Sequence, residues 1–168
     1  LDVAWYKKYY GTESGNQFHV ILGLGNGGGN YGPKVVYPDG HEDLYAIMGT
    51  WNTDSNGYAK YDPAQYLPTF IHEFNHSFIN PATIPFADRL SHSATTVFNA
   101  VRMEMNKQAY GSWQTMINES LVRACVIRYL IQHQTAQTEV LREISAQRSR
   151  GWYWISELSD LMARYEQQ

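Results

Sequence analysis

Short apolar runs separated by glycine, proline and asparagine mark the first third of the chain and predict β-strands. The three clearest runs lie at 19–22, 34–37 and 44–48. A Pro-Asp-Gly tripeptide at 38–40 follows the second run, and it supplies the fixed φ of proline and the conformational freedom of glycine that a tight turn needs. This part of the chain therefore predicts a small antiparallel or mixed sheet.

From residue 63 onward the apolar residues recur at three- and four-residue spacing, which predicts helices. Pro68 can open the first helix, and Asn80 should end it, because the residue before a proline is pushed out of the α-region. The predicted helices lie near 68–79, 91–109, 112–133, 138–149 and 152–166. Strands followed by helices predict an α+β fold.

Length and composition favour one compact domain, strand-rich over 1–60 and helical over 63–168. The chain has 168 residues, of which 43% are hydrophobic, and a chain of this length can bury roughly 70% of the surface that it exposes when unfolded. Lys and Arg number 13 against 16 Asp and Glu, without a run of like charge, which argues against a nucleic-acid partner. No apolar stretch reaches the about 18 residues of a bilayer crossing, so we expect no membrane insertion.

A His-Glu-x-x-His motif lies inside the first predicted helix, at 72–76. A helix turns by about 100° per residue, so His72 and His76 project from one face, one turn apart, where both can bind one zinc ion. Glu73 lies beside that face, in position to act on a metal-bound water. The other side of the helix is apolar and comprises Phe70, Ile71, Phe74 and Phe78. The alternative is a structural pair of histidines without a metal.

A catalytic zinc ion needs a third protein ligand, and Glu119 is the candidate. It lies on an apolar stripe of the helix predicted at 112–133, where an ionised carboxylate needs a cation or several hydrogen bonds. Arg123, four residues later, offers the alternative of an ordinary ion pair. His92 is the rival third ligand.

With these residues identified, the sequence resembles the gluzincin metallopeptidases, which carry His-Glu-x-x-His on one helix and a glutamate ligand on a later one. Segments 26–33, 72–81 and 118–124 are also similar to a bacterial gluzincin-like family catalogued as a domain of unknown function. The resemblance implies a zincin-like fold that holds one Zn²⁺ per chain through His72, His76 and Glu119. The sequence departs from the pattern at Arg123, where many gluzincins carry an acidic residue that orients an imidazole.

Zinc-dependent hydrolysis of a peptide bond is the expected function, with Glu73 as the general base that activates the zinc-bound water. The resemblance implies an oxyanion partner across the cleft, for which Tyr153 is a candidate. It also implies that a strand before the active helix, assigned to Ile47, Met48 and Gly49, pairs with the substrate backbone. The expected partner is a peptide or protein substrate.

The resemblance further implies an extracytoplasmic location in a bacterium. The chain begins at Leu1 rather than Met, which is typical of a processed protein or of a fragment of a longer one. Nothing in the sequence indicates the oligomeric state.

Two other functions compete with hydrolysis. One is a non-catalytic module that retains the zincin fold and binds a peptide or a glycan, which the 14% aromatic content also fits. Glu73 argues against it, because a binding module needs no base beside the metal. The other is nucleotide binding by the G-x-G-x-x-G run at 23–28. More glycines and Pro33 follow that run where the fingerprint requires a helix, so we interpret it as a loop between strands.

Overall fold

The computed structural model describes residues 1–12 and 16–167 and confirms an α+β fold. Its elements are α1 (Val3–Tyr10), β1 (Gln17–Leu22), β2 (Lys34–Val36), β3 (Glu42–Met48), α2 (Pro63–Thr83), a 3-10 turn (Ile84–Phe86), α3 (Ala87–Ala100), α4 (Arg102–Lys107), α5 (Trp113–Gln132), α6 (Gln137–Ser149) and α7 (Ile155–Tyr165). The chain divides into two compact units, Leu1–Phe78 and Ile79–Gln168. A single domain stays a prediction. In the described part of the chain, no helix combines the length and the apolar character that a bilayer crossing requires.

The sheet in the first unit is mixed, and β3 is its central strand. β1 runs parallel to β3, with Gln17 opposite Asp43, whereas β2 runs antiparallel to β3, with Lys34 opposite Leu44. A bridge between Tyr31 and Ile47 continues the antiparallel register beyond β2. The stretch 31–36 therefore forms one edge of the sheet, and β1 forms the other.

Helix α1 is an element that the sequence analysis missed. Its signals were present: the Asp2 side chain accepts hydrogen bonds from the backbone N–H of Ala4 and Trp5, and Gly11 ends the helix with φ 65°. Short helices give weak periodicity, and the aromatic residues of this one resemble those of a strand. Trp5, Tyr6 and Tyr9 are buried, so α1 contributes to the core of the first unit.

Helix α2 is longer than predicted at both ends, because it begins at Pro63, before Pro68, and continues through Pro81 to Thr83. The residues before Pro68 and Pro81 adopt helical conformations despite the steric preference against them. An interior proline costs roughly 3 kcal/mol or more, whereas full burial of an aliphatic or aromatic side chain contributes about 1.5–3 kcal/mol. Ile71 and Phe74 are 0% exposed, and tertiary packing of this kind can hold a helix across an unfavourable residue.

The helix predicted at 91–109 is two helices in the structure. α3 begins earlier, at Ala87, and Val101 interrupts the run with φ −117° and ψ 17° before α4 starts. Ala109 has φ 64°, a left-handed conformation that ends this part of the chain. α5, α6 and α7 lie within three residues of their predicted bounds. The predicted Ser112 cap of α5 is present, since its hydroxyl accepts the N–H of Thr115 at 3.1 Å.

An aromatic cluster fixes the orientation of α2 in the first unit. The Tyr6 ring packs edge-on against Phe74, and the Tyr10 ring stacks on Phe78 with 4.5 Å between centroids. The Tyr10 hydroxyl donates to Asn75 Oδ1 at 2.9 Å. Because α1 holds this side of the helix, the side that carries the two motif histidines faces away from the cluster.

Gly32 brings the sheet edge against the backbone of the motif helix. A Cβ atom at Gly32 would lie 2.0 Å from the carbonyl oxygen of Glu73. Real Cβ atoms do not approach an oxygen so closely, so only glycine fits there without a shift of strand or helix. The contact sets the distance between the 31–36 edge and the residue expected to act as the base.

We predict that Gly32→Ala destabilises the protein by about 1–3 kcal/mol, as expected for a group forced into a filled space. Urea denaturation followed by circular dichroism measures the loss. Gly25→Ala is the matched control, because a Cβ there has nothing within 4 Å. Equal stability of the two variants would contradict the close approach.

Candidate metal centre

Two imidazoles face each other on α2. The Nε2 atoms of His72 and His76 lie 3.1 Å apart, and the rings are nearly perpendicular at 82°. Two nitrogens bound to one tetrahedral zinc ion at 2.0–2.1 Å lie about 3.3 Å apart. The spacing that the sequence predicted from helical geometry therefore suits shared coordination of one ion.

Glu73, between the two histidines in sequence, is 6% exposed. Its neighbours Phe74 and Asn75 are fully buried, and its own carbonyl contacts Gly32. The backbone on both sides of the candidate base is thus held by packing. A general base needs such a fixed position, because proton transfer depends on distance.

Glu119 of α5 joins the two histidines in one cluster. One ligand atom from each of His72, His76 and Glu119 lies within 4.8 Å of the others. Two imidazole nitrogens and one carboxylate oxygen form a donor set that zinc prefers at catalytic sites. These three residues therefore lie close together and can bind a metal ion.

The rival ligand His92 does not belong to this cluster. It lies exposed on α3. The remaining histidines have other neighbours: His19 Nε2 lies 3.4 Å from Asp43 Oδ1, His41 Nδ1 lies 2.5 Å from Asp39 Oδ1, and the His133 ring stacks on Tyr129.

The ion pair weighed as an alternative for Glu119 is present as well. Arg123 Nη2 donates to Glu119 Oε2 at 2.9 Å, and both side chains are 8% exposed. Helix α5 is buried on all sides in its middle part, since every residue from Val122 to Ile127 is buried. A carboxylate so deep in a helix bundle needs a cation, and Arg123 supplies one without a metal.

Tyr110 is a residue that the sequence analysis did not identify. Its hydroxyl accepts a hydrogen bond from Arg123 Nη2 at 2.9 Å. Burial raises the pKa of Tyr110 to about 12, and the negative charge of Glu119 contributes to the increase, whereas Arg123 opposes it. The phenol therefore stays neutral at physiological pH. Helical periodicity could not reveal this role, because Tyr110 follows the left-handed Ala109 outside any helix.

Tyr153 lies in the turn before α7 and is 53% exposed. The candidate metal cluster comprises His72, His76 and Glu119. Its role as oxyanion partner stays a prediction.

The substrate strand predicted at Ile47, Met48 and Gly49 does not fit the structure. Ile47 exchanges both backbone hydrogen bonds with Tyr31, at 2.9 and 3.0 Å. The Met48 carbonyl accepts the N–H of Gly23 at 2.7 Å, and the Gly49 N–H donates to Asn30 at 3.0 Å. β3 is central rather than at an edge, so an added strand would have to displace its neighbours.

The glycine run at 23–28 forms turns after β1, and no helix opens there. A Cβ at Gly49 would lie 2.5 Å from the carbonyl oxygens of Gly27 and Gly29, so the loop packs directly on the end of β3. The loop is structural in this respect, which agrees with its interpretation as a connection between strands rather than a phosphate-binding turn.

Residues 3–168 match a family described as Domain of unknown function (DUF4932). No curated protein and no solved structure matches the chain.

We predict that Glu119→Ala destabilises the metal-free protein by about 3–5 kcal/mol, because it leaves the buried Arg123 guanidinium without its carboxylate. Thermal unfolding in the presence of a chelator measures the loss. Glu139→Ala is the control: its ion pair with Arg142 is 2.6 Å long but exposed, and exposed pairs contribute at most about 1 kcal/mol. Similar losses in both variants would contradict the importance of the buried pair.

Proposed function

We propose that the chain, which belongs to the DUF4932 family, binds one zinc ion through His72, His76 and Glu119 and hydrolyses peptide bonds. The observation that carries the proposal is the convergence of three ligand atoms, from His72, His76 and Glu119, within 4.8 Å of one another. Glu73, between the two histidines in sequence on α2, is buried.

The donor set supports zinc over harder ions. Calcium and magnesium prefer shells made only of oxygen, whereas this cluster offers two imidazole nitrogens. Three protein ligands leave a fourth tetrahedral position open, as in catalytic rather than structural zinc sites. The zinc ion, when bound, supplies Lewis acidity that lowers the pKa of water and polarises a carbonyl oxygen.

Glu73 serves as the general base in this proposal. Its carboxylate takes one proton from the attacking water, whose oxygen forms a bond to the carbonyl carbon of the substrate. The same proton then passes from Glu73 to the leaving nitrogen as the C–N bond breaks, so the residue ends the cycle ionised. Tyr153 remains the proposed hydrogen-bond donor to the carbonyl oxygen.

The 31–36 edge replaces 47–49 as the proposed site of substrate pairing. Tyr31 directs its backbone N–H and C=O inward to Ile47, so in an antiparallel ladder Gly32 and Lys34 direct theirs outward. Gly32 also lies against the Glu73 carbonyl. An extended peptide can add as a further strand at an exposed sheet edge. At the 31–36 edge, such a peptide would run past the proposed general base.

We predict one zinc ion per chain in the purified protein, measured by elemental mass spectrometry. His72→Ala and Glu119→Ala should lose the ion, because each removes one of three ligands. His92→Ala is the control and should keep it. Wild-type protein that takes up no zinc after incubation and removal of the excess would refute the metal site.

We predict that Glu73→Gln keeps zinc but lowers peptide turnover by at least about 100-fold, because general-base catalysis contributes 10²–10⁴-fold. Cleavage of a peptide library, followed by mass spectrometry, measures the rate, and the zinc content controls for an intact site. Normal turnover in Glu73→Gln would refute its role. A wild-type protein that holds zinc, binds peptides and cleaves none would favour the non-catalytic module.

A further inference from the structure

Arg123 stands where a carboxylate would be expected in a gluzincin, and its surroundings give it a specific task. We infer that Arg123 is a positioning residue, which holds Glu119 Oε2 and thereby presents Oε1 to the metal as the single carboxylate ligand atom. This inference rests on the proposed metal site, and it adds a residue that does not touch the ion.

The guanidinium group holds the Glu119 carboxylate at its Oε2 atom. Nη2 donates to Glu119 Oε2 at 2.9 Å and also to the Tyr110 hydroxyl at 2.9 Å. Nη1 donates to Gln147 Oε1 at 2.9 Å. Two of these partners belong to other segments of the second unit, so the position of the guanidinium does not depend on α5 alone.

Two aromatic rings also pack against the guanidinium group, and they lie next to each other, with 5.9 Å between their centroids. Its central carbon lies 4.9 Å from the centre of the Trp152 ring and 5.9 Å from that of Tyr110. Trp152 is fully buried, and Gly151, at φ 97°, precedes it where a Cβ would lie 2.6 Å from the Glu104 side chain. An arginine that is both stacked and hydrogen-bonded loses little freedom when it binds a carboxylate.

The network continues behind the arginine. Gln147 is 5% exposed, and its Nε2 donates to Glu143 Oε1 at 2.5 Å. Gln147 thus turns its oxygen to Arg123 because its amide nitrogen is already bound by Glu143. The chain from Glu143 through Gln147 and Arg123 to Glu119 fixes the ligand carboxylate through α6, which carries no ligand itself. Groups of this kind typically alter metal affinity by about 10–100-fold when they are removed.

The positive charge of Arg123, considered alone, predicts the opposite effect on zinc affinity. A cation 2.9 Å from a ligand carboxylate disfavours a second cation there, so its loss should strengthen zinc binding if Arg123 only neutralises Glu119. Positioning and neutralisation can therefore be separated by a variant that keeps the charge and loses the planar fork.

The test is zinc affinity, measured by competition with a chromophoric chelator, in Arg123→Lys and Arg123→Met. We expect affinity to fall about tenfold or more in both variants, because neither retains the fork that holds Oε2. The visible absorption of bound cobalt(II) should change in shape, since the carboxylate ligand is no longer fixed. Tyr110→Phe removes one hydroxyl that interacts with both Arg123 and Glu119. It should weaken zinc binding in the same direction by a smaller factor, and it keeps the test possible if the changes at Arg123 prevent folding.

Arg128→Lys is the matched control on the same helix. Arg128 forms a two-bond pair with Glu166 at 2.7 and 2.6 Å, with side chains 12% and 13% exposed. This variant should lose stability but keep wild-type zinc affinity and the wild-type cobalt spectrum. If the role of Arg123 were purely structural, Arg123→Lys and Arg128→Lys would have the same zinc affinity and the same cobalt spectrum.

Three results would overturn the inference: unchanged zinc affinity in Arg123→Lys and Tyr110→Phe, tighter binding in Arg123→Met, or equal weakening in Arg128→Lys. If Glu119→Ala still abolishes zinc binding in these cases, the proposed function stands and only the positioning role fails. A wild-type protein without zinc affinity would refute both.

Discussion

Burial of one face of α2 is the constraint on which the candidate site depends. The helix contains Pro68 and Pro81, each of which costs roughly 3 kcal/mol or more inside a helix. Ile71 and Phe74 are completely buried, and packing of such side chains offsets that cost. When packing fixes one side of a helix, it also fixes the direction in which the opposite side faces. The apolar contacts of Ile71 and Phe74 therefore hold the helix that brings the His72 and His76 rings together, although neither histidine takes part in those contacts.

The position of Glu119 on α5 depends on electrostatics more than on packing. Glu119 is a buried acid on a helix that is apolar around it, and Arg123 balances its charge in the absence of an ion. Such a pair fixes the position of the carboxylate without a metal ion. A metal ion that bound at Glu119 would meet a side chain whose conformational entropy has already been lost, which favours binding, and a neighbouring positive charge, which opposes it.

The features of the site that depend on a single helix could be predicted from the sequence. The spacing of His72 and His76 reports which residues share a helix face, and the buried stripe of α5 identified Glu119, because both depend only on periodicity. The order of strands could not be predicted, since β3 is central through its pairing with β1 on one side and with β2 and the distant Tyr31 on the other. Tyr110, Gln147 and Trp152 meet at Arg123 from three separate segments, and no single-segment pattern records such a meeting.

Cys125 gives α5 a property that none of its polar residues provides. It is the single cysteine of the chain and is fully buried two residues after Arg123. A thiol in that position reacts with an alkylating reagent only when the helix opens, so its labelling rate reports the free energy of that opening. The protein thus carries an internal probe of local unfolding on the helix that bears Glu119, and any change in the stability of this helix can be followed there without an introduced label.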